Sequence, residues 1–493
     1  MTHSTLRFHA LLCGACAILL TACQDGTGLG TRRAPGVHIV RGSQADTAMA
    51  ATELIAEVRG ADREVLPGAV VEFRSLGPTD SAFVYLNPPG AITRRVVTDT
   101  TDARGMASTP VRLAYIAGTA RLLVTVQSAG FQDTVAYLIR PGATAAIAIS
   151  PADTAMYVDG SYPLTATATD QWGNARTDAV TFGTATPYII AVSNDRVSGK
   201  LLGRGIVTAR TGNVVDSAYV SVVPRGTLVL RGGGIWIMNL DGSGRRAIPR
   251  TGSPSNWGVP RQPLDWSPFG AELAFFGDGG TQQLWAGTPD GAVRPLAPPA
   301  PAGIIQRAPR FSRDGQWVYY NQGDPARYTT SLWRVRANGT GAERLTPDTP
   351  AFYRNDVDAS GSPDSRKIVY GTDRERGWGI SPPRRLVVMD LATRAVQDLR
   401  VLGNEPRWSP VADRIAYERN YRLWLINADG TGGRALTPEL PLYESNLSWS
   451  PDGQWIAAER HGPFIDLIHV ESGMILPLSF TAFHTDPAWR PGS

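Results

Sequence analysis

The residues of this 493-residue chain whose types could bind a metal ion lie in its C-terminal third and carry side-chain oxygens. Asn404, Glu405, Asn446 and Asp486 carry the amide and carboxylate oxygens that calcium prefers as ligands. They recur at no diagnostic spacing in the sequence. Calcium-dependent chemistry is therefore an alternative that the residue types allow, and the sequence does not favour it.

Other catalytic patterns are missing from the sequence. It contains no HExxH motif, no Walker loop and no G-x-S-x-G elbow. The three cysteines, Cys13, Cys16 and Cys23, all lie near the N-terminus, so no cysteine cluster supports a zinc site. A Ser-His-Asp triad stays open, because nothing singles one out. We therefore expect a non-enzymatic protein, with no catalytic residue, no metal and no cofactor.

Composition narrows the class of partner. The chain has 48 Lys and Arg residues against 44 Asp and Glu residues, a net charge of +4, and no dense basic run. A nucleic-acid partner is not expected, since such proteins concentrate positive charge on one face. Hydrophobic residues make up 42% of the chain, which is enough to build folded domains.

The first segment predicts export. Arg7 precedes a short apolar run that ends in Leu20-Thr21-Ala22-Cys23, which resembles the lipobox of bacterial lipoproteins. The resemblance implies a signal peptide over residues 1–22, cleavage before Cys23 and lipidation of that cysteine. Residues 23–36 then form a flexible tether to the membrane. Gln24 is not the Asp that retains enteric lipoproteins at the inner membrane, so we expect a cell-envelope location at the outer membrane.

Two β-rich segments follow the tether. Residues 37–143 contain strand-length runs separated by glycine turns, and their Pro67–Phe73 and Thr101–Ala107 stretches resemble invasin-type bacterial Ig-like domains. Residues 144–224 contain an alternating apolar and polar run at Leu164–Asn174 and resemble the other common bacterial Ig-like module. Both segments are therefore expected to be β-sandwiches.

The C-terminal part, residues 225–493, repeats itself. Each unit has an anchor residue followed by a β-rich run, and successive anchors lie 40 to 50 residues apart, the size of a four-stranded propeller blade. An aromatic residue that recurs at the same position of five units indicates packing between blades rather than a ligand site. The unit at Gly361 has lost the aromatic, which predicts looser packing there. The anchors are Trp266, Phe311, Gly361, Trp408, Trp449 and Trp489.

The two ends of this region complement each other. Residues 226–249 supply three strands without an inner strand of their own, and the segment around Trp489 supplies an inner strand alone. Pairing them closes a ring of six blades and removes the exposed sheet edges. We predict an all-β protein: two Ig-like β-sandwiches followed by a six-bladed β-propeller that a C-terminal inner strand closes.

The repeat consensus is clearest at 405–437 and 447–460 and resembles that of TolB-type six-bladed propellers. The resemblance covers about residues 226–493 and implies the fold. The N-terminal α/β domain of TolB is replaced here by two Ig-like modules and a lipid anchor. The identity of TolB's lipoprotein partner therefore does not carry over.

Loops that enter the inner strands converge at one mouth of a propeller, which places a set of candidate binding residues there. Mixed charge beside aromatic residues suits a partner that is an envelope protein or a glycan. Two alternatives remain: a calcium-dependent hydrolase similar to propeller lactonases, and a surface adhesin that binds through its Ig-like domains. The candidate binding residues are Arg310, Asp356, Asn404, Glu405, Arg407, Tyr443, Glu444, Asn446, His484 and Asp486.

Overall fold

The computed structural model divides the chain into two compact units, Met1–Gly142 and Ala143–Ser493. In the described ranges the only helix is a 3-10 turn, Gln127–Ala129, and no helix there is long and apolar enough to cross a bilayer. The prediction of an all-β protein is confirmed. The structure describes residues 33–42, 45–77, 82–86, 94–249, 263–278, 282–347, 354–373, 384–439, 446–460, 464–478 and 485–492.

The first unit is a β-sandwich of two antiparallel-rich sheets, with strand orders β1-β3-β7-β5 and β2-β9-β8-β4-β6. Its strands are β1 (Gly36–Arg41), β2 (Ala45–Thr47), β3 (Ala51–Arg59), β4 (Val70–Leu76), β5 (Val84–Leu86), β6 (Val96–Thr100), β7 (Met106–Leu113), β8 (Gly118–Val126) and β9 (Phe131–Arg140).

Alternation of side chains builds the core of this sandwich. Along β8, Leu122, Val124 and Val126 are buried, and the residues between them face outward or are partly covered. The period of two places one face of each strand against the opposite sheet. Phe73 and Tyr137 fill the same apolar cluster, and both are fully buried.

The second unit begins with another sandwich, whose three sheets have the orders β10-β13-β14, β11-β19-β18-β15 and β12-β17-β16. Its strands are β10 (Thr144–Ser150), β11 (Thr154–Tyr157), β12 (Ser161–Pro163), β13 (Thr165–Asp170), β14 (Ala175–Arg176), β15 (Thr181–Thr184), β16 (Ile190–Ser193), β17 (Arg196–Gly199), β18 (Gly203–Thr211) and β19 (Val214–Val223).

The rest of the second unit is the propeller. Its strands are β20 (Thr227–Arg231), β21 (Ile235–Asn239), β22 (Arg246–Ala247), β23 (Asp265–Trp266), β24 (Leu273–Asp278), β25 (Gln282–Gly287), β26 (Val293–Pro295), β27 (Ile305–Phe311), β28 (Trp317–Asp324), β29 (Thr329–Arg336), β30 (Glu343–Arg344), β31 (Arg354–Gly361), β32 (Lys367–Thr372), β33 (Arg384–Asp390), β34 (Val396–Trp408), β35 (Arg414–Arg419), β36 (Arg422–Asn427), β37 (Arg434–Ala435), β38 (Ser448–Trp449), β39 (Trp455–Arg460), β40 (Phe464–His469), β41 (Ile475–Leu478) and β42 (Thr485–Trp489).

Strand pairing in the described residues gives six four-stranded blades. Blade 1 has the order β22-β21-β20-β42, blade 2 is β23 to β26, blade 3 is β27 to β30, and blade 6 is β38 to β41. Blades 4 and 5 share the long strand β34. Its first part pairs with β33 and completes blade 4, and its last part pairs with β35 and begins blade 5.

The ring closes as the sequence predicts. In blade 1 the C-terminal strand β42 is the inner strand, and it pairs antiparallel with β20 through Leu228 opposite Trp489 and Val229 opposite Ala488. The remaining strands of that blade come from residues 227–247, directly after the second sandwich. The closure joins the two ends of the repeat region through backbone hydrogen bonds, which leaves neither edge unpaired.

A β-bulge interrupts four of the inner strands at the same place. Ala308, Asp358, Glu405 and Asp486 each lie three residues before the anchor of their blade, and each has a positive φ, between 50° and 62°. The pairing register shifts at the same points. Such bulges bend a strand and redirect its side chains. Here they alter the inner strands where these line the centre of the ring.

Candidate ligand-binding site

The six inner strands surround a central cavity of about 300 Å³. All six anchors line it, together with the prolines that follow the inner strands. Four charged side chains also line it, and three of them are arginines. They are Asp265, Arg310, Arg313 and Arg407.

The residue immediately before the anchor links neighbouring blades at three points of the inner ring. In three blades its side chain accepts a hydrogen bond from the anchor N–H of the next blade: Asp265 Oδ2 from Phe311 at 2.8 Å, Ser360 Oγ from Trp408 at 2.9 Å, and Ser448 Oγ from Trp489 at 2.8 Å. Asp265, Arg310 and Arg407 therefore occupy a repeated position that the packing of the blades holds fixed.

Arg310 is buried, and only part of its guanidinium is hydrogen-bonded to described residues. Its Nη1 donates to the carbonyl oxygens of Leu264 and Pro309, each at 3.0 Å, which ties the side chain to the neighbouring blade. Its Nε and Nη2 make no hydrogen bond to any described residue. Burial, reinforced by the nearby charge of Arg407, lowers the pKa of Arg310 to about 10. The guanidinium is still protonated at neutral pH.

Arg313 has even fewer partners. It lies two residues after the anchor of blade 3, is half-buried, and makes no hydrogen bond or ion pair within the part of the chain that the structure describes. The other five blades have proline at this position: Pro268, Pro363, Pro410, Pro451 and Pro491. Burial lowers the pKa of Arg313, while the charge of Asp265 acts in the opposite direction. Blade 3 thus adds one positive charge to the cavity wall.

Carboxylates approach the arginines from the bulged side of the ring. Arg407 Nη2 lies 2.5 Å from Glu405 Oε2, and the Glu405 side chain is 15% exposed. Burial and the neighbouring carboxylate of Asp358 raise the pKa of Glu405 to about 7, although Arg407, Arg310 and Arg384 favour its charged form. Burial also raises the pKa of Asp265. The cluster therefore contains one carboxyl group that titrates near neutral pH.

Asn404, Asn446 and Asp486 do not line the cavity, and the structure gives each a protein partner. Asn404 Nδ2 donates to Glu418 at 2.9 Å, and Asn446 Nδ2 donates to Asp486. Asp486 also lies 3.7 Å from Arg231, and both side chains of this pair are 1% exposed. Asn446 and Asp486 belong to a buried network rather than to an open mouth.

Asp356 lies in a separate groove of about 890 Å³ beside blade 4. Its carboxylate accepts a hydrogen bond from Thr372 Oγ1 at 2.7 Å, and its side chain is fully buried. The groove has charged residues of both signs and an apolar floor that includes Val387 and Met389. The structure thus separates Asp356 from Arg310 and Arg407.

Four predicted residues lie outside the described part of the chain. They are Cys23, Tyr443, Glu444 and His484. Among the residues that are described, no group of three or more His, Cys, Asp or Glu side chains is arranged to hold a metal ion.

The sequence analysis missed Asp265, Arg313 and Asp358, although the repeat contains a signal for each. Aligning the blades on their anchors places Asp265 in the same column as Arg310 and Arg407, and Asp358 in the same column as Glu405. It also shows Arg313 as the one departure from a proline column. A comparison of repeat columns finds these residues, whereas loop position alone does not.

No protein-family model matches the chain, and no curated protein matches it either. Solved structures that resemble it include one of a nidogen/laminin complex, at 9% identity and a TM-score of 0.41, covering 54% of this chain and 98% of the other. An oligogalacturonate lyase in complex with manganese matches at 18% identity and a TM-score of 0.34, covering 52% and 73%. FdeC, an Escherichia coli adhesin, matches at 14% identity and a TM-score of 0.27, covering 39% and 65%.

These similarities are too distant to carry a conclusion about activity or partner. The architecture of this chain rests on its own strand pairing, which gives two sandwiches and a closed ring of six blades in the described residues.

Proposed function

We propose that this chain is a non-enzymatic binding protein of the bacterial cell envelope. In this proposal lipid on Cys23 anchors it to the outer membrane, and its two Ig-like domains hold a TolB-like propeller that binds an envelope protein or glycan. The lipobox-like Leu20-Thr21-Ala22-Cys23 and the propeller repeat support the two halves of the proposal.

The observation that carries the binding role is the central cavity of the propeller. The cavity has a volume of about 300 Å³, and its wall combines aromatic and proline residues with three arginines. Ligand sites are likewise concave and combine aromatic side chains with polar groups that fix the ligand. Arg313 has no protein partner in the described residues and is free to contact a ligand.

The alternative of a calcium-dependent hydrolase draws less support from the geometry. Its four suitable side chains are distributed over separate contacts: Glu405 pairs with Arg407, Asn404 bonds to Glu418, and Asn446 and Asp486 bond to each other. A calcium site needs several oxygens directed at one point.

Crosslinking in intact cells tests the proposal. A photoreactive residue at Pro451, an exposed residue that lines the cavity, leaves the arginines in place and is expected to capture an envelope protein or glycan. One at the exposed Arg104 of the first sandwich serves as the matched control. Capture from Arg104 alone would favour an adhesin that binds through its Ig-like domains. Stoichiometric calcium in native mass spectrometry of the purified chain would instead favour the hydrolase, and either result contradicts the proposal.

A further inference from the structure

The charged residues of the central cavity define a ligand class. Three arginines and one aspartate line a space whose other walls are tryptophan, phenylalanine, leucine, proline, serine and glycine residues. Arg310 has two nitrogens and Arg313 a whole guanidinium without an acceptor among the described residues. Guanidinium groups present parallel donors that match the two oxygens of a carboxylate.

Arg407 adds to this excess of donors. Its Nη1 and Nη2 bond to Pro406 and Glu405, and its buried Nε has no acceptor in the described residues. A buried cation with unmet hydrogen bonds costs stability, because it has given up hydration without replacement. An anion in the cavity offsets that cost, which gives the protein a physical reason to bind one.

The size of the cavity and the anchor aromatics in its wall narrow the class of anion further. A cavity of about 300 Å³ corresponds to about ten water molecules at the volume each occupies in the liquid. A phosphate ion would contact only the polar part of this wall and would leave the anchor aromatics without a partner. A carboxylate attached to a small apolar body satisfies both parts of the wall.

We propose that the central cavity binds a small carboxylate whose oxygens contact Arg310 and Arg313 and whose apolar body packs against the anchor aromatics. The ligand is either a free organic acid or a single carboxylate-bearing group of the envelope partner. This inference deepens the proposed binding function by naming the chemistry recognised at the propeller.

Benzoate and its uncharged isostere benzamide are the probes. Isothermal titration of the purified full chain is expected to show benzoate binding at least about tenfold tighter than benzamide, because charge-assisted hydrogen bonds to arginine are stronger than neutral ones. Equal affinities for the two probes, or no binding of benzoate, would overturn the inference.

Variants of Arg313 locate the site. Arg313→Pro gives blade 3 the residue that the other five blades have, and Arg313→Gln keeps a polar side chain of similar length. Both are expected to remove the preference for benzoate. Arg366→Gln, an exposed arginine that follows the corresponding turn of blade 4, is the matched control and is expected to keep it. Unchanged benzoate affinity in both Arg313 variants, with thermal unfolding confirming that they fold, would contradict the proposed contacts.

Competition separates the two sources of the ligand and the two proposals. If the carboxylate belongs to the envelope partner, excess benzoate lowers the yield of partner crosslinked from Pro451, a cavity residue whose replacement leaves Arg310 and Arg313 in place, and benzamide does not. If it is a free acid, benzoate binds and the crosslinking yield is unchanged. Crosslinking without any benzoate preference would overturn the carboxylate inference alone, and benzoate binding without any captured partner would contradict the scaffold function alone.

Discussion

At the scale of single residues, the charged groups at the central cavity are held in energetically unfavourable conformations and surroundings. Glu405 has a positive φ of 53°, which costs energy in a residue other than glycine, and its carboxylate is largely buried. Arg310 and Arg407 place like charges near each other in the same cluster. Strain and desolvation of this kind gather at functional sites, where the surrounding structure holds them in place.

The raised pKa of Glu405 makes stability depend on pH in a defined direction. Between the ordinary glutamate value of about 4.3 and the folded value of about 7, the folded chain holds a proton that the unfolded chain has lost. Stability from this group is therefore present at low pH and is lost as pH rises through that window. Glu405→Gln is expected to stabilise the protein by about 1 to 3 kcal/mol at pH 8 and to change little at pH 5.

Urea denaturation at the two pH values measures this difference. Glu439→Gln is the control, because its side chain is 75% exposed and forms only a surface pair with Arg422. Surface pairs contribute little, so this variant is expected to stay within about 0.5 kcal/mol of the parent at both pH values. A Glu405→Gln variant that is less stable at pH 8 than the parent would show that its ionised form is favourable in the fold.

At the scale of elements, the inner strands join neighbouring blades through their anchor residues, as Trp489 illustrates. Trp489 is 6% exposed, and its backbone N–H donates a hydrogen bond to Ser448 Oγ of blade 6. Its side chain packs in the apolar cluster shared by blades 1 and 6. A Cβ on Gly226 would lie 3.0 Å from its Nε1, so the chain approaches the ring closely at this point. The anchors thus pack between blades, as their recurrence predicts.

Replacing Trp489 tests closure of the ring. Trp489→Ala is expected to lower the free energy of unfolding by about 3 to 5 kcal/mol, the cost of removing a large buried aromatic side chain. Guanidinium denaturation gives the value. Trp172→Ala, in the second sandwich, removes a tryptophan that is 44% exposed and is expected to cost less than about 1 kcal/mol. An equal decrease in the free energy of unfolding in the two variants would mean that the Trp489 side chain stabilises the protein no more than an exposed tryptophan does.

The fourth blade shows where an expectation from the sequence was wrong. Loss of the aromatic anchor at Gly361 predicted loose packing, yet the ring of Tyr319 from blade 3 lies against this position. A Cβ on Gly361 would meet its Cε2 at 3.1 Å. Tyr319 itself is 1% exposed. A neighbouring blade therefore fills the space that the missing side chain leaves, and no pattern within one repeat unit reveals this exchange.

The blade count and the closing strand were predictable from the sequence because both follow from a repeated backbone pattern. The cavity was predictable in part: Arg310 and Arg407 line it and Glu405 contacts Arg407, but Asp356 and Asp486 lie elsewhere. The bulges explain the difference, since they shift the register at residues such as Asp358 and Glu405 and change which side chains face the centre. Asp358 and Asp486 are of a type that is enriched at positive φ, but Ala308 and Glu405 are not, so residue type alone does not place these bulges.

At the scale of the whole second unit, the sandwich and the propeller are packed together rather than loosely linked. Ala155 and Val223 of the sandwich belong to the same apolar cluster as Leu228 and Leu467 of the propeller. Ser221 Oγ donates to the carbonyl oxygen of Pro477 at 3.0 Å. Contacts on this scale favour a fixed arrangement, because opening them exposes apolar surface to water.

A buried carboxylate lies near this junction. Asp466 of blade 6 is 1% exposed, lies 3.3 Å from Arg460 and has no hydrogen-bond partner among the described residues. Burial raises its pKa, while the charges of Arg460 and of Arg204 from the sandwich act against that rise. Arg204 therefore couples the sandwich electrostatically to the propeller.

Proteolysis of the connecting residues 224–226 tests whether this junction is rigid. Trypsin can cleave after Arg225 only when the short connection unfolds locally, and the interface opposes that opening. Ala155→Glu places a charge in the apolar cluster and is expected to raise the cleavage rate after Arg225 by about tenfold or more. Ala148→Glu, on the exposed side of β10 in the same sandwich, is expected to leave the rate unchanged.

Mass spectrometry of the fragments distinguishes cleavage after Arg225 from cleavage elsewhere. Equal rates in both variants would indicate that the cluster does not hold the second sandwich and the propeller together.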